Sequence, residues 1–120
     1  MRLDHLLAAD SFGRGMDQAR LSRVAVVLAQ EGFAESSDGW VLDETYPWVT
    51  IAESDGVLHV NVGEGAPEHI VSTAAGCFDR LVTECGLSRI DPMTRREIPA
   101  FEWSRRVEAS LRPAGWTGRL

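Results

Sequence analysis

The stretch Trp48-Val-Thr-Ile-Ala-Glu-Ser54, followed by Asp55-Gly56 and then Val57-Leu-His-Val-Asn-Val62, decides the fold. Apolar and polar residues alternate on both sides of Asp-Gly, the two-residue connection whose backbone twist matches that of paired antiparallel strands. The turn sets the register. It puts Ser54 opposite Val57, Glu53 opposite Leu58, Ala52 opposite His59, Ile51 opposite Val60, Thr50 opposite Asn61 and Val49 opposite Val62. Successive strand side chains point to opposite faces. Val49, Ile51, Leu58, Val60 and Val62 are therefore expected in the core, with Trp48, Thr50, His59 and Asn61 together on the other face.

Working outward, Phe33–Ser36 and Trp40–Glu44 flank Ser37-Asp38-Gly39 and read as a second hairpin, so residues 33–62 form a four-stranded antiparallel meander. After it, Pro67 opens a helix that Gly86 stops, with Ile70, Ala74, Cys77, Phe78, Leu81, Val82 and Cys85 as its apolar stripe. Ser88–Ile98 reads as an irregular connection. Pro99 starts a last helix to about Leu111, with Ala100, Ser104, Val107 and Leu111 on one side, flanked by Phe101 and Trp103. Residues 112–120, around Trp116, read as an extended tail. Before the meander, residues 3–9 suggest a short helix, and Asp17 can cap a second one ending near Glu31, with Gly32 just beyond. The sum is a single α+β domain over residues 1–120. The meander is packed on one face by the helices at 67–85 and 99–111, and the amino-terminal helices are expected at an edge or on the opposite face.

Composition bounds the function. The chain has 120 residues, 44% of them hydrophobic, enough for one core that needs neither a metal nor a disulfide, and no cofactor is expected. The net charge of −6 has the wrong sign for a protein that neutralises phosphates, so direct nucleic-acid binding and binding to anionic membranes are disfavoured. All twelve basic residues are arginine, which excludes lysine chemistry; a GC-rich bacterial or phage genome accounts for the missing lysine. The amino terminus lacks the charge pattern of a secretory signal and no run is long enough to span a bilayer, so a cytoplasmic protein is expected.

Few residues carry recognisable chemistry. Cys77 and Cys85, eight residues apart on one helix, stand about 12 Å apart along its axis, beyond disulfide reach, and the stripe aims both thiols inward. Asp43 and Glu44 are adjacent in a strand and point to opposite faces, which argues against a carboxylate pair. Gly63-Glu-Gly-Ala-Pro67 precedes a helix as an anion cradle would, but Glu64 and Glu68 oppose an anion.

The run Leu21–Glu44, an apolar helix followed by Gly32, Phe33 and a short hairpin, resembles the recognition helix and wing of winged-helix transcriptional regulators. The resemblance covers about a fifth of the chain and implies a scaffold built around DNA contact. It departs at the contacting positions, where the would-be wing carries Glu35, Asp38, Asp43 and Glu44 and the helix offers only Arg20 and Arg23. Arginines gather in the carboxy-terminal quarter while acids dominate the rest, a pattern that suits an internal clamp, a contact between copies, or docking of an acidic partner.

These readings favour a non-catalytic protein-interaction module, a small adaptor, chaperone-like protein or inhibitor. It would use the outer face of the 48–62 hairpin or an acidic surface, with Trp48, Thr50, His59, Asn61 and Trp116 as partner-binding residues. A winged-helix regulator and a small cysteine- or histidine-dependent enzyme are the alternatives, and self-association is compatible with all three.

Overall fold

A computed structural model describes residues 3–42 and 47–111. In chain order the elements are β1 (His5–Ala8), α1 (Gln18–Gln30), β2 (Phe33–Glu35), β3 (Gly39–Leu42), β4 (Val49–Ser54), β5 (Val57–Val62), α2 (Glu68–Cys85), β6 (Ser88–Ile90) and α3 (Ala100–Ser110). The strands form one sheet in the order β2-β3-β4-β5-β1-β6, with every neighbouring pair antiparallel. The class is α+β as expected, but the sheet has six strands where the sequence predicts four.

The β4–β5 hairpin has the register that Asp-Gly dictates, in all six pairs from Val49↔Val62 to Ser54↔Val57. Asp55 and Gly56 take φ of 53° and 80°, the double positive φ of a primed hairpin turn. Met16 donates its backbone N–H to the Gly56 carbonyl at 2.8 Å, and a Cβ on Gly56 would stand 2.7 Å from the Met16 nitrogen. That turn is therefore closed against the chain entering α1.

Two strands escape the sequence reading. Residues 5–8 form a strand, not the predicted short helix, and lie between β5 and β6 with His5 opposite Val60 and Leu6 opposite both His59 and Ile90. All four of these residues are buried. A strand covered on both sides loses the period-two signature, and a four-residue apolar run does not separate helix from strand. The connection predicted as irregular contains β6, which exists because β1 offers it a free edge. Its own outer side is covered in turn, as Ile98 donates to the Arg89 carbonyl at 2.8 Å and Ile90 bridges to Glu97.

The core lies between the sheet and the helices. Val49, Ile51, Leu58, Val60 and Val62 pack in one cluster with Phe78, Leu81, Cys77 and Cys85 of α2 and with Val24, Val27 and Leu28 of α1. The helix α1 thus shares a face with α2, a correction to its expected place at an edge or behind the sheet. Asp17 caps α1 through the Arg20 N–H at 2.9 Å. Arg20 and Arg23 reach the carbonyls of Ala9 and Glu84, at 3.0 and 2.7 Å, and Arg80 bonds Glu31 at 3.1 Å, so the two helices are laced together. The helix that resembled a recognition helix therefore spends its two arginines on backbone oxygens, and its hairpin is the edge pair of a six-stranded sheet.

Among the described residues of α3, Trp103 alone is buried. Val107 and Leu111 of the predicted stripe pack at the margin of the core, but its Ala100 and Ser104 are exposed, and Phe101 is 65% exposed. The predicted tail, with Trp116, and the pair Asp43 and Glu44 lie outside the described residues.

Candidate functional site

All three helices contribute to one cluster on one side of the sheet. Across the other side the strands bring residues into rows. Val41, Thr50 and Asn61 form one row, and Ala52, His59, Leu6 and Ile90 form the next. His59 and Asn61 are exposed, Thr50 and Ala52 half-buried. The sequence thus placed Thr50, His59 and Asn61 together correctly. With its amide turned to donate, Asn61 bonds Asp4 Oδ1 at 2.7 Å, and Asp4 Oδ1 also accepts from the Val62 N–H at 3.2 Å.

Trp48 departs from the pattern. It precedes the first regular residue of β4, where strand alternation no longer governs direction, and its half-buried indole packs at the margin of the main core. A Cβ on Gly63 would lie 3.2 Å from the indole, so the ring rests against the base of the hairpin.

Beyond His59 the rows run into a second, smaller apolar cluster of Leu6, Ala8 and Ile90, with Val57 beside it, on the side away from the helices. It floors a cleft of about 330 Å³ whose remaining lining is Phe12, Gly13, Ser54, Asp55, His59 and Arg95. Two short loops make its walls, and an aspartate fixes each. Asp10 Oδ1 accepts the N–H groups of Phe12 at 3.0 Å and Arg14 at 3.3 Å, and its other oxygen takes the Arg14 guanidinium at 2.6 Å. Asp91 Oδ1 accepts from Met93 at 2.8 Å and Thr94 at 3.1 Å, while Oδ2 takes Arg106 at 2.8 Å. The Arg106 guanidinium and these amides hold the Asp91 carboxyl below its usual range. Arg95 follows in this second loop at φ 61°, an uncommon conformation for a side chain of its size.

Sequence reasoning did not find this cleft. Its floor comes from the two strands that were misread, Phe12 lies between the two predicted amino-terminal helices, and Arg95 lies in the segment expected to be an irregular connection. The available signal was the pair of turns Asp10-Ser-Phe-Gly-Arg and Asp91-Pro-Met-Thr-Arg, in which an Asx side chain organises the following backbone.

Several other charged and nucleophilic groups are committed to the fold. Arg89 pairs with Asp79 while stacking on Trp103 at 4.6 Å and so ties the arginine-rich segment to the acidic remainder, whereas Arg106 is neutralised by Asp91 and Glu102 within its own segment. Cys77 is fully buried, and burial pushes its thiol up to about 12; Cys85 is buried and shifted in the same direction. His5 is buried against Phe78 and Trp103, and burial lowers it to about 4. Among the described residues no group of three His, Cys, Asp or Glu side chains is placed to hold a metal ion, and no helix is long and apolar enough to cross a membrane. No protein-family model, curated protein or solved structure matches the chain.

Proposed function

We propose that the chain is a non-catalytic protein-interaction module that receives a partner polypeptide on the sheet face opposite its helices, across Thr50, His59 and Asn61. The observation that carries this reading is the one-sided placement of the helices: an antiparallel sheet covered on one side keeps the other for contact. That face combines half-buried Val41, Thr50 and Ala52 with exposed polar groups at its centre, the mixture of a polar interface and not of a core. Glu35, Asp38, Glu53 and Asp55 surround the turns at one end, which favours a partner with basic residues there. Trp48 packs at the margin of the main core and is not part of this face, so its substitution serves as the control.

The test is affinity capture from the source organism with the intact chain, a Thr50→Arg variant and a Trp48→Ala variant, each checked for an unchanged melting transition. Partners recovered by the intact chain and lost with Thr50→Arg support the reading. Equal recovery by all three, or by none, removes it.

A further inference from the structure

The polar side chains that line the cleft differ from those that shape its walls. Among the described residues, Ser54, Asp55, His59 and Arg95 all line it, and none uses its side chain in a hydrogen bond or ion pair with the protein. Asp10, Asp91 and Arg106, in or against the same walls, are by contrast fully engaged in fixing the loops. The walls are therefore preorganised while the groups facing the cleft are left for something else.

We propose that this cleft binds the carboxy-terminal residue of a partner polypeptide. Its terminal carboxylate pairs with Arg95, its own amide N–H donates to Asp55, and an apolar side chain lies on Leu6, Val57 and Ile90. The assignment rests on the preceding reading of this face as an interaction surface and names the part of the partner it takes.

Charge selects the ligand class. Arg95 is the one arginine of the lining, and Asp55 is its one carboxylate. A monoanion gains a charge-assisted contact with the guanidinium, whereas a phosphate dianion meets a carboxylate as well and gains little. A simple fatty acid satisfies Arg95 and the apolar floor but brings Asp55 no donor. A chain-terminal amino acid brings carboxylate and N–H a few ångströms apart, with Ser54 and His59 available to the second carboxylate oxygen. The size agrees, since about 330 Å³ suits one residue and part of its neighbour, at the small end of ligand cavities. Phe12, 82% exposed on the amino-terminal wall, supplies an aromatic surface for the residue before.

The experiment is a nuclear magnetic resonance titration of the full chain with three probes: N-acetyl-Ala-Gly-Leu with a free carboxylate, the same peptide as its carboxy-terminal amide, and octanoate. Saturable shifts are expected for the free acid, confined to residues 6–14, 54–59 and 90–96, with a Kd of about 0.1–1 mM. The amide should bind at least about tenfold more weakly, and Arg95→Asn should impose the same loss on the acid. Asn tolerates the positive φ at both Arg95 and Asp55, so Arg95→Asn and Asp55→Asn leave the loop and turn intact. Asp55→Asn should weaken the peptide acid several-fold and leave octanoate unchanged. Equal binding of acid and amide, octanoate binding as tightly as the peptide, or no saturable shift at about 10 mM overturns the assignment. If the peptides fail while Thr50→Arg still abolishes partner capture, the cleft assignment falls alone; if capture is insensitive as well, the interaction reading falls with it.

Discussion

Trp103 tilts over His5 with ring centroids 4.5 Å apart, and through that contact α3 is joined to β1, the strand beside the β6 edge of the sheet. Arg89 stacks on the outer side of the same indole, and Phe78 meets it edge-on at 6.4 Å. Trp103 is the one buried residue of α3, with Val107 and the Arg106–Asp91 pair as lesser contacts, so the helix owes most of its docking to one side chain. Trp103→Ala should cost about 3–5 kcal/mol. Hydrogen exchange should show residues 100–110 losing protection well before the β4–β5 hairpin does. If both regions lose protection together, α3 is integral to the cooperative core and the single-anchor description fails.

His5 makes stability depend on pH in a defined window. Burial depresses its folded value to about 4 from an ordinary 6.5, although its Nδ1 lies 2.6 Å from the Leu3 carbonyl. The imidazole is neutral in the fold and takes up a proton on unfolding anywhere between those two values. Its contribution is therefore complete above about pH 6.5 and is lost as pH falls towards 4, by about 3 kcal/mol in all. Asp10, Asp91 and Glu84, each held low by arginine or amide partners, add losses only at the acid end. Urea unfolding at pH 7.5, 6.0 and 5.0 should show a declining midpoint at constant slope. His5→Leu should flatten the decline above pH 5, and a wild-type midpoint that does not move over this range would place the charged imidazole in water.

How far the sequence carried depends on whether neighbours left a trace in it. The Asp55-Gly56 turn is local, so the register from Val49 to Val62, the buried set and the grouping of Thr50, His59 and Asn61 were all legible. The insertion of β1 between β5 and β6 is a long-range event. Nothing in His5-Leu-Leu-Ala8 states that both its edges will be paired, and three residues of β6 are too few to carry a period. The cleft floor is built from those two strands, so the cleft was invisible while the open face beside it was not. Trp48 was misplaced for a related reason, as alternation was extended one residue beyond the strand it describes.

The approach of two backbones at the β4–β5 turn and an open position on α2 give a pair of substitutions with opposite signs. A Cβ on Gly15 would stand 2.1 Å from the Asp55 carbonyl oxygen, a contact that only movement of the turn can relieve. Gly15→Ala should destabilise by about 1–3 kcal/mol. Gly76, exposed within α2, has nothing within 4 Å of its would-be Cβ, and Gly76→Ala should stabilise by about 0.5–1 kcal/mol through helix propensity. Thermal or urea unfolding checks both. Equal and small effects would mean that the chain entering α1 does not press on the turn.

The thiols report whether the core is closed. Cys77 is fully buried in contact with the sheet-side cluster and its thiol is pushed up to about 12 by loss of solvent, with the Glu31 carboxylate reinforcing the shift. A disulfide reagent reacts with thiolate, so at pH 8 the native chain offers it neither access nor the reactive form. Labelling of Cys77 in the native state should proceed only through opening of the core, and should accelerate in step with urea-induced unfolding. Cys85, 4% exposed near the carboxy end of α2, should label by fraying of the last helical turn and hence somewhat faster. Cys77→Ser should cost about 1–3 kcal/mol, because the hydroxyl enters an apolar cluster without a partner. Rapid native labelling of Cys77, with Cys77→Ser tolerated, would mean that α2 does not seal the sheet. The helices would then no longer define one covered face, and the case for contact through the other would lose its foundation.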